Sequence, residues 1–273
     1  MRRLQGLLSA CHLGPTLAVT AATTALAGLV GRGWGCVAVA LAVLAGQLSV
    51  GWSNDWLDAA RDGATRRTTK PIVAGLVSAQ EVKVAALLAA FAAVPLSLLS
   101  GWRAAVVHLV AIASAWAYNA GLKATRLSPL PYVVSFALLP AFVTLGPPTF
   151  TWPRPVLMAA AALLGSGVHF VNTLSDVEQD AITGVRGLPQ RLGPRQSAIV
   201  GSVLLLCGLV VLRLVSPRLP GLSDLLVVVG CGATALVIVT AGRGRTAASQ
   251  QWAILVGGLG VVLFAVGHPS LVG

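Results

Sequence analysis

The sequence predicts an all-α membrane protein, and its composition, the spacing of its apolar stretches and the placement of its charges all indicate this fold class. Of 273 residues, 56% are hydrophobic and 10% are charged, and the mean hydropathy is +0.84. Apolar stretches recur with lengths close to the about 20 residues that a helix needs to cross a bilayer. Short polar segments separate them and carry most of the charge. We therefore predict a polytopic helical bundle.

Nine such stretches occur, and each is predicted to form one transmembrane helix of a single domain that covers residues 1–273. The predicted spans are residues 13–30, 34–53, 82–99, 104–120, 131–148, 156–174, 197–215, 223–241 and 251–268.

The distribution of positive charge predicts the orientation in the membrane. With the N-terminus placed inside, 14 of the 19 lysines and arginines fall on the internal side, as the positive-inside rule requires. We expect an integral protein of the bacterial plasma membrane, with the N-terminus and the motif-bearing loops in the cytoplasm and the C-terminus outside. The formal net charge of +11 is not accompanied by a soluble domain, a zinc motif or a long basic arm, so we expect no nucleic-acid partner.

A cluster of carboxylates closes the second predicted span. Asp55, Asp58 and Asp62 follow an otherwise apolar segment. Asn54, Asp58 and Asp62 recur at i, i+4 and i+8, so on a helix they lie along one face with neighbouring Cβ atoms about 5–6 Å apart. Oxygen ligands with this spacing can hold a divalent cation.

The sixth predicted span ends in the same pattern. Asn172, Asp176 and Asp180 each follow their counterparts in the first motif by 118 residues. Each motif closes an even-numbered span on the same side of the membrane and precedes a basic loop. We infer two four-helix pseudo-repeats, at about residues 1–127 and 128–241, with the ninth helix, residues 251–268, outside them.

The two motifs hold six of the eight acidic residues of the chain. An acid costs about 2.5–3.5 kcal/mol at the centre of a membrane helix, and like charges at i, i+4 repel one another. Such a concentration of acids therefore requires a compensating cation. The all-oxygen donor set favours Mg²⁺, which proteins usually hold with one or two carboxylates plus substrate phosphates. A zinc site would favour His or Cys, which the motif positions lack.

The loop after the first motif contains Arg66, Arg67 and Lys70. Carboxylates for metal ions beside cations for phosphate oxygens are what a magnesium-bound diphosphate requires. The same cations are equally typical of juxtamembrane anchors, and the sequence leaves both interpretations open.

Three further polar residues lie near the motifs. Tyr118 and Asn119 end the fourth span, where tyrosines are common without any catalytic role. His169 lies one helical turn before Asn172, and we expect it to pack or hydrogen-bond locally, although it could also face the same cavity. The remaining histidines, His12 among them, have no partner that the sequence suggests.

The two motifs resemble the signatures of UbiA-type intramembrane prenyltransferases, a family that includes 4-hydroxybenzoate polyprenyltransferases. The first signature, Asn-Asp-x2-Asp-x3-Asp, is matched by Asn54, Asp55, Asp58 and Asp62, and the second, Asp-x3-Asp, by Asp176 and Asp180. The run from Gly184 to Gly193 is also similar, and the resemblance extends over nearly the whole chain.

The resemblance implies a nine-helix bundle that uses Mg²⁺ and an isoprenyl diphosphate and transfers the prenyl group to a small, aromatic acceptor. The implied metal ligands are Asn54, Asp58, Asp62, Asn172, Asp176 and Asp180. Asp55 would complete the catalytic acids by orienting the acceptor or a neighbouring group. The implied diphosphate contacts are Arg66, Lys70, Lys123 and Arg186, and Tyr118, Asn119 and His169 would lie near the acceptor. The family often has Tyr-x3-Lys where this chain has Tyr118-x4-Lys123, which weakens the assignment of Tyr118 more than that of Lys123.

Three other functions compete with prenyl transfer. A terpene cyclase on the same scaffold would ionise the same diphosphate without an acceptor. A CDP-alcohol phosphotransferase needs Asp-x2-Asp-Gly-x2-Ala-Arg, and the spacing from Asp58 to Arg66 does not fit it. A cation transporter would need polar groups at the middle of the bilayer, whereas the acids here cluster at one face.

Overall fold

The computed structural model describes residues 2–214 and 220–267, without the side chains of residues 178, 179, 181, 220 and 264–267. Within these ranges every regular element is helical, which confirms the all-α prediction. Residues 215 and 268, at the ends of the seventh and ninth predicted spans, lie outside the described residues.

The long helices correspond one to one with the predicted spans. Over the described ranges they are α2 (Leu13–Leu29), α3 (Gly35–Ala64), α4 (Ala79–Leu98), α5 (Trp102–Ala120), α6 (Leu130–Thr144), α7 (Pro155–Asn172), α10 (Pro194–Leu214), α11 (Pro220–Gly242) and α12 (Thr246–Gly267). The shorter helices are α1 (Arg2–Ala10), α8 (Val177–Thr183) and α9 (Leu188–Leu192), and 3₁₀ turns occur at Leu122–Ala124 and Thr173–Ser175.

Six helices of the described chain are long and apolar enough to cross a membrane, namely α3, α4, α7, α10, α11 and α12. Two more, α2 and α6, are apolar but shorter. α5 carries Arg103, His108 and Asn119, and it belongs to neither group. The chain is thus an integral membrane protein, while the count of nine transmembrane helices stays a prediction.

Helix α3 is much longer than the apolar stretch that predicted it. The stretch ends at residue 53, but the helix continues to Ala64. Its last turns carry the first motif, and the side chains of Asp55, Asp58 and Asp62 are buried. The length of the apolar stretch therefore predicted the membrane span but not the end of the helix. The helix continues past the span because its acidic residues have partners inside the protein.

Small residues allow α7 and α10 to pack closely. A Cβ atom on Gly167 of α7 would stand 2.8 Å from the carbonyl oxygen of Gly201 on α10, so only glycine permits this approach. Close contacts between small residues are the usual way in which helices associate in lipid, where hydrophobic burial gives little drive. α12 packs against α7, α10, α11 and α2 and so contacts both halves of the chain.

A buried arginine joins the loops at the end of the bundle opposite to the motifs. Arg32 precedes α3 and is only 6% exposed. Its Nη1 donates to the carbonyl oxygen of Val143 on α6 at 2.8 Å, and its Nη2 donates to Ser100 Oγ after α4 at 2.8 Å. One side chain therefore ties the α2–α3 and α4–α5 connections to the end of α6.

We expect Arg32→Ala to lower stability by about 1–3 kcal/mol, because two charged donors lose their bonds and two buried acceptors lose theirs. Thermal unfolding in detergent measures the change. The control is Arg103→Ala, which removes an exposed arginine near the same end of the bundle and should leave the melting temperature unchanged. Equal melting temperatures for both variants would contradict the structural role of Arg32.

Candidate active site

Helix α3 presents its acids to three loop or turn segments. Asp55 and Asp62 are seven residues apart, which places them nearly in line along a helix, with Asp58 between them. All three are more than nine-tenths buried. Each has a cationic partner from elsewhere in the chain, so the acids are shielded from water without being left unpaired.

Two basic groups contact one oxygen of Asp55. Lys70 Nζ lies 2.6 Å from Asp55 Oδ1, and His12 Nε2 lies 3.0 Å from the same atom. His12 belongs to the turn between α1 and α2 and has a left-handed backbone conformation, with φ of 54°. Sequence reasoning assigned no role to His12, because no local pattern links it to a motif 43 residues away.

Asp58 is held by one cation of its own helix and by another from the turn after α5. Lys123 Nζ, in the turn after α5, lies 2.5 Å from Asp58 Oδ1 and 3.4 Å from Asn54 Oδ1. Arg61 Nη2 donates to Asp58 Oδ2 at 2.7 Å. Burial lowers the pKa of Lys123, and the neighbouring Asp58 opposes this effect. Lys123, which was predicted as a diphosphate contact, thus lies against the first motif, and its role toward the diphosphate stays a prediction.

Arg67 connects the two motifs. Its Nη1 lies 3.5 Å from Asp62 Oδ1 and its Nη2 donates to Asp176 Oδ1 at 2.7 Å. Its Nε is buried and has no hydrogen-bond partner among the described residues. A single guanidinium therefore spans the distance between carboxylates that are 114 positions apart in sequence.

The second motif does not form the continuous helix that its spacing suggested. α7 ends at Asn172, a 3₁₀ turn follows, and α8 begins after Asp176. The carbonyl oxygen of Asn172 accepts a bond from Gln250 Nε2 of α12 at 3.2 Å, and the amide of Asp176 donates to Thr173 instead. At the break, side chains therefore satisfy the carbonyl oxygen of Asn172, since Ser175 Oγ also donates to it at 3.0 Å.

Asp180 nevertheless returns to the same region. Its amide donates to the carbonyl oxygen of Asp176 at 2.8 Å, and its Oδ2 accepts from Gln190 Nε2 at 2.7 Å. Burial raises the pKa of Asp180, and the bond from Gln190 lowers it to a smaller extent. The charged form of this buried carboxyl group is unfavourable by itself, and a nearby cation would stabilise it.

The other predicted diphosphate contacts lie further out. Arg66 is exposed and has φ of 51°, so the chain turns sharply there and sends Arg67 inward. Arg186 is also exposed, and its carbonyl oxygen accepts from Arg191 Nε at 2.7 Å. Lys70 and Lys123 are the members of this predicted set that contact the first motif, whereas Arg61 and Arg67 were not selected from the sequence.

The residues predicted near the acceptor have different surroundings. Asn119 Nδ2 donates to the carbonyl oxygen of Val50 at 2.9 Å and to Ser53 Oγ at 2.8 Å, so it joins α5 to α3. His169 Nε2 lies 3.2 Å from Ser128 Oγ. This partner is 41 residues away in sequence, and the expectation that His169 packs or hydrogen-bonds locally stays a prediction.

Tyr118 belongs to an aromatic cluster beneath the motifs. Its ring centroid lies 5.4 Å from that of Tyr132 and 5.5 Å from that of His169, both with nearly perpendicular planes. The rings of Tyr132 and His169 are 4.7 Å apart. Tyr118 and His169, which were both predicted to lie near the acceptor, therefore pack together in one aromatic cluster with Tyr132.

A small inner cavity of about 40 Å³, open on part of its surface, lies between α2, α3, α5 and α6. Its walls are mostly apolar and include Val19, Val50, Ile112 and Phe136. Val50 precedes Asn54 by one helical turn, so the cavity begins directly below the first motif.

The residues of the two motifs fit Mg²⁺ by their chemistry. The side chains are carboxylates and amides, the hard oxygen donors that this ion prefers. Arg67 already joins Asp62 of one motif to Asp176 of the other, so both motifs reach a common positive charge. Among the described residues no three His, Cys, Asp or Glu side chains form a ready-made metal cage. Mg²⁺ commonly completes its coordination shell with waters and substrate phosphate oxygens.

Comparison with characterised proteins agrees with this geometry. The bacteriochlorophyll synthase 33 kDa chain of Cereibacter sphaeroides is 31% identical over 191 residues, which cover 62% of this chain and 58% of that relative. The digeranylgeranylglyceryl phosphate synthase of Natronomonas pharaonis is 29% identical over 231 residues, covering 82% of this chain and 80% of the relative.

Solved structures share the fold at lower identity. A UbiA homologue from Archaeoglobus fulgidus bound to GPP and Mg²⁺ superposes with a TM-score of 0.69 at 15% identity, covering 97% of this chain and 99% of that chain. The apo structure of a UbiA homologue from Aeropyrum pernix K1 gives a TM-score of 0.70 at 19% identity, covering 91% and 97%. The family model of the UbiA prenyltransferase family matches residues 13–256. The chain therefore belongs to the UbiA prenyltransferase family.

Proposed function

We propose that this protein transfers a prenyl group from an isoprenyl diphosphate to an acceptor within the membrane, with Mg²⁺ as cofactor and release of diphosphate. The observation that carries the proposal is the convergence of both aspartate motifs on Arg67, surrounded by Lys70, Lys123 and Arg61. A metal–diphosphate complex carries charges of both signs. Carboxylates can bind its metal ions, and neighbouring arginines and lysines can bind its phosphate oxygens.

The two motifs would hold the metal ions through Asn54, Asp58, Asp62, Asn172, Asp176 and Asp180. Bound Mg²⁺ supplies positive charge that stabilises the diphosphate as the allylic C–O bond breaks. Arg67 has a spare buried donor, its Nε, and Lys123 and Lys70 are ammonium groups with more than one proton to donate. These cations can bind phosphate oxygens without losing every contact to the aspartates.

Because a prenyl chain is larger than about 40 Å³, the surrounding helices would have to separate as the tail enters the inner cavity. Its apolar walls begin one turn below Asn54, so a diphosphate at the motifs directs its hydrocarbon chain between α2, α3, α5 and α6. Burying a hydrocarbon chain there contributes roughly 25 cal/mol for each Å² removed from water. Exclusion of water also protects the allylic cation from hydrolysis.

The acceptor would approach beside His12 and Asp55. The resemblance of the motifs favours an aromatic acceptor. Supporting relatives differ in this respect, since one is a bacteriochlorophyll synthase and another a digeranylgeranylglyceryl phosphate synthase. The positive charge concentrated near the motifs supports placing this end of the bundle, with the N-terminus, on the cytoplasmic side of a bacterial plasma membrane.

Replacing one carboxylate in either motif tests the metal assignment. We expect Asp58→Asn and Asp176→Asn each to reduce Mg²⁺-dependent diphosphate release from geranyl diphosphate by about 10²–10³-fold, the usual effect of losing one group that stabilises developing charge. The control is Asp224→Asn, which removes a largely exposed acid paired with Arg213 and should retain full activity. Unchanged turnover in either motif variant would refute the assignment.

Adjacent arginines allow a matched test of the diphosphate contacts. We expect Arg67→Gln to raise the KM for the donor at least about tenfold more than Arg66→Gln does, because Arg67 is directed at both motifs while Arg66 is exposed. Steady-state kinetics with purified protein measure both constants. A larger effect in Arg66→Gln would mean that the loop adopts another arrangement when the donor is bound.

The pair of His12 and Asp55 gives a test of acceptor placement. We expect His12→Gln and Asp55→Asn to reduce transfer to an acceptor more than they reduce acceptor-independent release of diphosphate, because neither residue is assigned to the metal ions. Product analysis by mass spectrometry, with and without glycerol-based, aromatic and chlorophyllide acceptors, measures both reactions. A hydrocarbon or alcohol formed equally well without any acceptor would instead identify a cyclase.

A further inference from the structure

Three polar side chains line the otherwise apolar inner cavity, namely Gln47 on α3, His108 on α5 and Ser135 on α6. The hydroxyl of Ser135 donates to the carbonyl oxygen of Ala111 at 2.8 Å, so its hydrogen-bonding need is met within the protein. Gln47 makes no hydrogen bond within the described ranges, and His108 has a partner at only one of its two ring nitrogens, so their geometry indicates a site inside the cavity.

The hydrogen bonds around His108 fix the position of its proton. Ser97 Oγ donates its single proton to the carbonyl oxygen of Ala93 at 2.5 Å. Ser97 Oγ also lies 2.8 Å from His108 Nδ1, so in this contact Nδ1–H must be the donor. The imidazole is only 3% exposed and no carboxylate of the described residues contacts it, so it is neutral and carries one proton. Nε2 therefore has a free lone pair.

The orientation of the ring directs Nε2 toward the cavity. The imidazole stacks on Phe142 with centroids 4.3 Å apart and planes 18° apart. A Cβ atom on Gly46, which also lines the cavity, would stand 3.4 Å from His108 Nε2. No group in the described part of the chain donates a hydrogen bond to Nε2. His108 Nε2 is thus a hydrogen-bond acceptor in the cavity that has no donor among the described residues.

Gln47 follows Gly46 and supplies the complementary group. Its half-buried amide has both donor and acceptor atoms, and within the described ranges it makes no hydrogen bond. Filling the cavity with hydrocarbon alone would leave His108 Nε2 unpaired, at a cost of about 1–3 kcal/mol. A hydroxyl group satisfies both residues, because it can donate to Nε2 and accept from the amide.

We propose that His108 and Gln47 form an internal binding site for one hydroxyl group, supplied either by a water molecule or by the ligand that occupies the cavity. The identity of that ligand rests on the proposed function. Gln47 precedes Asp58 by 11 residues on α3, which is about 16 Å of helix. The hydroxyl site therefore meets the distal part of a prenyl chain whose diphosphate lies at the motifs.

The proton position can be measured without any prenyl diphosphate. Protein labelled with ¹⁵N-histidine in detergent should show one imidazole that is protonated at Nδ1 and unprotonated at Nε2, and this signal should be absent from His108→Leu. A protonated Nε2 would overturn the proposal. Assignment through Ser97→Ala, which removes the bond to Nδ1, keeps the test valid if His108→Leu fails to fold.

Binding of tails with and without a hydroxyl distinguishes the two sources. The probes are non-hydrolysable prenyl thiolodiphosphates of two to four isoprene units, each plain or with a hydroxyl on the terminal methyl, measured with Mg²⁺. If the ligand supplies the hydroxyl, wild-type protein should bind a hydroxylated tail about tenfold more tightly than its plain counterpart. His108→Leu and Gln47→Leu should remove this preference, and Ser135→Ala, the matched cavity control, should retain it.

If water supplies the hydroxyl, plain tails that reach the site must displace it, and His108→Leu should bind them about tenfold more tightly than wild type. Equal binding of plain and hydroxylated tails, unchanged in both leucine variants, would refute the site. Failure of every probe to bind any variant would contradict the proposed prenyl-diphosphate function, and the ¹⁵N measurement would still decide the hydroxyl site.

Discussion

The pairing of buried carboxylates with cations from distant loops is the interaction on which this structure depends. Asp58 is the central case, because Lys123 reaches it from the turn between α5 and α6, next to the junction of the two halves of the chain. An unpaired carboxylate in such surroundings would cost several kcal/mol, and the pair recovers that cost only with good hydrogen-bond geometry. The final turns of α3 therefore stay inside the protein only because the rest of the fold supplies their partners.

The same pairing suits the proposed chemistry. Without a ligand, the acidic and basic side chains neutralise one another as ion pairs. When metal ions and diphosphate bind together, the acids would contact the metal ions and the bases the phosphate oxygens. Arg67 is the clearest example, since it contacts an aspartate of each motif and still has an unpaired donor. The fold thus brings both motifs and their cations together, and binding of a metal–diphosphate complex would exchange these ion pairs for contacts to the metal ions and the phosphates.

Polar groups elsewhere in the bundle divide into those with partners and those without. Arg32 and Asn119 hold helices together through carbonyl and hydroxyl acceptors, and their role is structural. His108 has one nitrogen satisfied by Ser97 and the other facing an apolar cavity. In a low-dielectric interior an unsatisfied acceptor is costly, which makes the second nitrogen a marker of a ligand or a bound water.

The sequence by itself determined the helical membrane class and the two aspartate motifs, because hydropathy and residue spacing are local properties that need no partner. It also placed Lys70 in the loop beside the first motif, whereas Lys123 was predicted as a diphosphate contact only through the family resemblance. The tertiary structure alone decided the rest. Backbone geometry at Arg66 turns that residue outward and Arg67 inward, the turn after α1 brings His12 to Asp55, and the helix ends at Asn172 in the second motif, where Gln250 binds its carbonyl oxygen. Each of these three features depends on contacts between residues that are distant in sequence. A periodic pattern in the sequence does not show which of two neighbouring side chains will make such a contact.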